Sequence, residues 1–137
     1  MARENNAMSD SELRTFLQPV EWMALGMLDG SGGPAATVVP VVLQDDLVYF
    51  AVPPGSSAEH CLARDPRCCC SADVFPSYYE IKGATVHGKA RRLEPDPSTR
   101  LKLDERARRH GLSSGGVYVI PLLDDAFGVD FAKLARR

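Results

Sequence analysis

Apolar positions in this chain fall in short runs cut by turn-forming residues. Ser9 or Ser11 is placed to cap a short helix ending at Leu17, with Glu12 in its first turn and Pro19 limiting it. Residues 20–28 then read as an apolar strand. The cluster DGSGGP at 29–34 is a dense turn signal. Residues 35–43, β-branched and apolar, predict a second strand at hairpin spacing, and 47–52 a third after Gln44-Asp45-Asp46. Pro53-Pro54-Gly55 ends it. Ser56 or Ser57 caps a second helix reaching about Arg64, closed by Asp65-Pro66. Residues 67–75 and 81–93 predict a fourth and a fifth strand. Pro95, Asp96 and Pro97 open a charged helix over 98–110, with Gly111 placed to end it. Residues 117–122 and 127–131 read as two last short strands.

Strands in meander order, with helices between some of them and no parallel βαβ alternation, predict a mainly β fold. The expected architecture is a small barrel of six or seven strands with helical inserts. Residues 1–8 carry no periodic signal and are expected to form a flexible leader, with 9–137 as one domain. Trp22, on the first strand, is expected in the core.

Composition narrows the function classes. With 137 residues, 45% hydrophobic and 25% charged, the chain can bury a real core as one globular domain. That excludes a disordered tail, a coiled coil and a disulfide-stapled miniprotein. A net charge of −2 supplies no global basic field for nucleic acid. The charge is uneven, however: residues 1–80 are acidic on balance and 81–137 basic, through a solvated helix face or a patch for an anion. No run approaches the roughly 18 apolar residues of a membrane span, and the N-terminus lacks a signal peptide's apolar centre. A cytoplasmic protein is expected.

Four cysteines fit that compartment. On a strand, Cys68 and Cys70 share one face and Cys69 takes the other. They read as small apolar filler, with a metal or redox role as the alternative. No nucleophile elbow, zinc motif, P-loop or dinucleotide fingerprint is present, and His60, His87 and His110 are isolated in sequence. No catalytic residue is assigned. One segment has a physical signature: Ser56-Ser57 at a helix start offers free backbone N–H groups and two hydroxyls, either as a plain N-cap or as an anion seat.

Around that segment the chain resembles a family. Residues 50–75, FAVPPGSSAEHCLARDPRCCCSADVF, are similar to the middle of the pyridoxamine 5′-phosphate oxidase-like FMN-binding split barrels. The shared features are a strand, a Gly-Ser turn (Gly55-Ser56), a short helix ending in Leu62-Ala63-Arg64-Asp65-Pro66-Arg67, and a strand of small residues. Lys82 to Ala90 is similar to the family's basic strand closing in "V-x-G-x-A", and Leu28 to Val42 to its opening hairpin. The resemblance spans about residues 12–131.

It implies a six-stranded antiparallel split barrel that forms a homodimer, with cofactor sites at the interface. Val39, Pro40 and Val41 would lie along the ring of FMN, with Ala51 and Val52 lining the pocket. Ser56 and Ser57 would meet the phosphate, and Lys82 and Gly83 would approach from a neighbouring strand. Phe75, Tyr78 and Tyr79 would stack on a flat ligand or form a dimer core. Lys82, Tyr79 and His87 are candidates for a polar role near the ring.

Departures from the family pattern keep other readings open. The position of the usual phosphate lysine is Ala58, the second strand carries Val38 to Val41 in place of an arginine, and Gly83 replaces a common glutamine. Each lost ionic hydrogen bond is worth about 1.5–3 kcal/mol. The expected activity is therefore flavin- or deazaflavin-dependent hydride transfer (FMN, or coenzyme F-420) with a small organic substrate. The alternatives are a non-catalytic binder of flavin or haem, or a structural dimer whose pocket has degenerated.

Overall fold

The computed structural model describes residues 6–74, 81–130 and 133. Helix α1 (Asp10–Leu17) starts at Ser9, whose hydroxyl accepts from Glu12 N while the Glu12 side chain accepts from Ser9 N. This reciprocal pairing satisfies two otherwise orphaned donors. Strands β1 (Trp22–Leu28) and β2 (Pro34–Gln44) form the first hairpin, and β3 (Leu47–Val52) follows across a two-residue turn. Asp45 and Asp46 both take left-handed φ there, at 54° and 59°. That turn form matches the strand twist, and Arg14 grips Asp46 with two bonds of 2.8 and 3.0 Å.

Helix α2 (Ser57–Arg64) leads to β4 (Arg67–Val74), then come β5 (Lys82–Lys89) and the two-residue β6 (Arg91–Arg92). Helix α3 (Pro97–Arg109), β7 (Gly116–Pro121) and β8 (Ala126–Asp130) complete the described chain. All pairings are antiparallel, in the order β6-β7-β3-β2-β1-β4-β5-β8.

The seven strand segments read from the sequence thus become eight. The strand expected over 81–93 breaks at Ala90, whose N–H turns to Pro66 O at 2.7 Å. Before the break β5 pairs with β4 and β8; after it β6 pairs with β7. One segment therefore serves both ends of the curled sheet. Residues 6–8, expected at the end of a flexible leader, instead extend along β8. Met8 N donates to Gly128 O, and Asp130 N donates to Asn6 O.

Side-chain alternation decides what is inside. Met23, Leu25 and Met27 of β1, Cys68 and Cys70 of β4, and Ala84 and Val86 of β5 enter the barrel core with Phe50 and Ile120. Phe50 stacks on Tyr118 at 5.8 Å between ring centres. A second cluster, Val42, Tyr49, Ala51, Val117 and Val119, packs outside the barrel around Leu103 of α3. The β2–β3–β7 half is therefore buried on both faces. In contrast, among the described residues the β1–β4–β5–β8 half is covered on its inner face only. The cysteine expectation holds: Cys68 and Cys70 point in, Cys69 points out, and all four are free thiols. Burial pushes Cys68 up to about 11 and Cys70 well above the usual thiol range.

Phe50 is fully buried and centrally stacked. Phe50→Ala is expected to cost about 3–5 kcal/mol, read as a lower urea midpoint. A loss under about 1 kcal/mol would show that the barrel core collapses around the gap.

Candidate functional site

The uncovered outer face carries a groove of about 540 Å³. Trp22 and Ala24 of β1 line it with Ser71, Asp73 and Val74 of β4, Gly83 and Thr85 of β5, and Phe127 and Val129 of β8. Trp22 is 47% exposed and Phe127 61%. Trp22 was expected in the core; the β1 alternation that sends Met23, Leu25 and Met27 inward sends it out. Exposed rings on a concave apolar face are the usual material of a site for a flat molecule.

Glu21 and His110 close one end of this groove. Glu21 Oε1 lies 2.7 Å from His110 Nε2, its other oxygen meets Arg109, and Arg106 Nε stands at 4.0 Å. These cations and hydrogen bonds hold the Glu21 carboxyl below its usual range, the His110 bond first among them. Half-buried Arg106 also donates to Val20 O at 3.1 Å and Val41 O at 2.9 Å, which ties α3 to the sheet. Sequence gave no sign of this pair, because the two residues stand 89 apart.

At the α2 start, read as a plain N-cap or an anion seat, the N-cap is formed. Ser56 is the N-cap: its hydroxyl accepts from Glu59 N at 3.2 Å and donates to Pro53 O at 2.7 Å. The Glu59 carboxylate accepts from Gly55 N at 3.0 Å. A negative charge therefore already sits beside the helix N-terminus, where it suits the dipole and repels a phosphate. Ala58 is 5% exposed and packs into the barrel core beside Cys61 and Leu62. Lys82 faces Asp130, 5% exposed, at 3.9 Å.

No protein-family model and no curated protein matches this sequence. Solved structures do. A conserved hypothetical protein from Mycobacterium tuberculosis superposes with a TM-score of 0.79 at 17% identity, over 100% of this chain and 94% of that one. An FAD-binding protein from Mesorhizobium loti gives 0.72 at 18%, over 90% and 94%. The FAD and haem binding protein of Mycobacterium smegmatis gives 0.69 at 15%, over 92% and 73%. The fold is the split barrel of the pyridoxamine 5′-phosphate oxidase-like proteins. At these identities the likeness is one of fold.

The split itself has a local cause. Strand β2 pairs with β1 over 34–40 and with β3 only over 41–44. Val41 N donates to Glu21 O, on the β1 side, so strand alternation turns Pro40 toward β3. Proline has no N–H to donate, and the β2–β3 ladder stops at Val41 opposite Phe50. Continuing that register sets Pro40 opposite Ala51 and Val39 opposite Val52. Val39 and Pro40 thus lie where β2 leaves β3 for β1, while Ala51 and Val52 continue on β3 beside β7, with Ser56 and Ser57 after them.

The side chains of Val39, Val41, Ala51 and Val52 are buried within the protomer. Lys82 and Gly83 lie on β5, with β2, β1 and β4 between them and β3. Within one chain the two expected halves of the site stay apart. Exposed His87 stands opposite Cys69, and a shallow surface depression beside them is lined by Arg67 and Met27. Phe75, Tyr78 and Tyr79 lie outside the described residues. Among the described residues no group of three or more His, Cys, Asp or Glu converges as a metal site, and no helix is long and apolar enough to cross a membrane.

Two predictions follow from these charges and contacts. Ala58→Lys is expected to destabilise the fold by about 1–3 kcal/mol in urea, because a long cation meets core packing rather than a phosphate. Wild-type stability in that variant would mean that the lysine reaches solvent. The folded-state pKa of Glu21 is depressed, so its contribution is complete above the ordinary glutamate range and is lost as pH falls through and below it. Glu21→Gln should therefore flatten the stability profile below about pH 4.5, measured by urea unfolding across pH.

Proposed function

We propose that this chain is a subunit of a cytoplasmic homodimer that binds a flavin and moves hydride to or from a small organic substrate. The observation that carries this reading is the apolar groove, with Trp22 and Phe127 exposed on it, across a face of the split barrel that no described element covers. The structural neighbours described as FAD-binding support the cofactor class. A bound FMN or deazaflavin would supply the hydride chemistry. The protein's part is to hold the ring flat, keep water away and orient the substrate.

Two copies are needed for a shared site. The backbone at 39–41, with Ala51, Val52, Ser56 and Ser57, belongs to β2, β3 and the α2 start in the middle of the strand order, and Lys82 and Gly83 to β5 near one edge. A second protomer laid on the outer face would supply one of these parts to the other chain's site. It also covers Trp22, Val38, Val74 and Phe127, which are large apolar side chains left exposed in the single chain.

A haem-binding dimer is a second reading, favoured by the charge at the α2 start. Glu59 stands at that seat, Ala58 is in the core and Lys82 is engaged by Asp130. The groove suits the ring of FMN, but its 5′-phosphate gains no cation there. Haem needs no 5′-phosphate seat.

Trp22 is the only tryptophan, so its fluorescence reports on the groove. FMN titration is expected to quench it, and Trp22→Ala to weaken FMN binding about 2–10-fold through lost stacking. A Soret band without a flavin spectrum would select haem. A colourless protein that takes up no FMN, deazaflavin or haem would end the cofactor reading. In sedimentation the chain is expected to run as a dimer, and Phe127→Asp as a monomer.

A further inference from the structure

The groove ends in two titratable side chains that ring binding does not require. Glu21 and His110 both line it and bond to each other at 2.7 Å, while Arg106 and Arg109 press on Glu21 from α3. With Glu21 held ionised, it is the acceptor, so His110 Nε2 carries the proton in that bond. In the neutral imidazole the second ring nitrogen, Nδ1, keeps a lone pair, and it makes no hydrogen bond to any described residue. The charged groups facing this pair are Arg106 and Arg109 of α3, with Asp73 of β4 on the groove wall.

We propose that His110, oriented by Glu21, is the proton acceptor of this groove. The proposal rests on the hydride-transfer reading and names the substrate class for it: molecules with an O–H or N–H on the carbon that loses hydride. Such a carbon loses a hydride to the flavin while the heteroatom loses its proton, and a C=O or C=N bond forms. The proton passes to His110 Nδ1, which leaves an imidazolium paired with Glu21. In the reverse direction His110 returns it. Glu21 is a positioning residue: it sets the tautomer and stabilises the charge that develops.

The test uses the full-length protein titrated with FMN and reduced stepwise with dithionite, which supplies the electrons. The midpoint potential is followed from about pH 5 to pH 8. Reduced flavin ionises at its own N1 near neutral pH and bends the potential–pH line in every variant; a base beside the ring that gains a proton on reduction is expected to add a second bend. In His110→Gln that added bend should vanish while the Kd for FMN stays within threefold. In Glu21→Gln the added bend should move to lower pH, because the imidazolium loses its counter-charge. Coincident lines for wild type and His110→Gln overturn the proposal and leave the flavin reading standing. Loss of FMN binding in His110→Gln also overturns it, since His110 would then be a binding group. An added bend that stays in place in Glu21→Gln removes Glu21 from the pair. Failure of FMN to bind the wild type removes the flavin reading, and this proposal with it.

Discussion

The structure depends on β2 serving two neighbours in turn. Its first half completes one sheet with β1 and its last residues begin another with β3. Pro40 stands at the changeover, aimed toward β3 with no N–H to continue the ladder. Sheet curvature, the inward set of side chains and the packing of α3 against β2 all follow from that change of partner. At the other end the break at Ala90 does the same for β5 and β6. Two strands that each belong to both sheets make a barrel that curls without closing on itself.

The same architecture divides the surface. Around β2, β3 and β7 both faces are used, one by the barrel core and one by α3. Around β1, β4, β5 and β8 no described helix covers the outer face, and its apolar side chains lie in a groove. The electrostatics of the candidate site follow that division. Carboxylates answer nearly every cation near the proposed ligand: Asp130 for Lys82 and Glu21 for Arg106 and Arg109. Little positive charge remains for a phosphate, which shifts the weight of binding onto the ring.

Much of this was legible from residue order. Turn clusters at 29–34 and 44–46 and the helix starts at Ser9 and Ser56 act over a few residues, so local chemistry announces them. The cysteine run shows its faces for the same reason, since strand alternation needs no knowledge of partners. The break at Ala90 was not legible, because 81–93 is β-compatible throughout and only the sheet it must join divides it. Nor was the fate of the expected phosphate seat, where Glu59 folds back onto Gly55.

By itself the sequence determined the elements, their order and an antiparallel barrel, because short-range propensity and period-two patterning are properties of neighbours in the chain. Pro40 lacks a donor in any fold, but which ladder it ends was set by the side of β2 that β3 takes. Only the tertiary structure decided that Trp22 faces out, that Lys82 meets a buried carboxylate and that Glu21 finds His110. Each of those outcomes depends on which distant strand or helix arrives alongside. Register and packing set that, and a one-residue shift would reverse it.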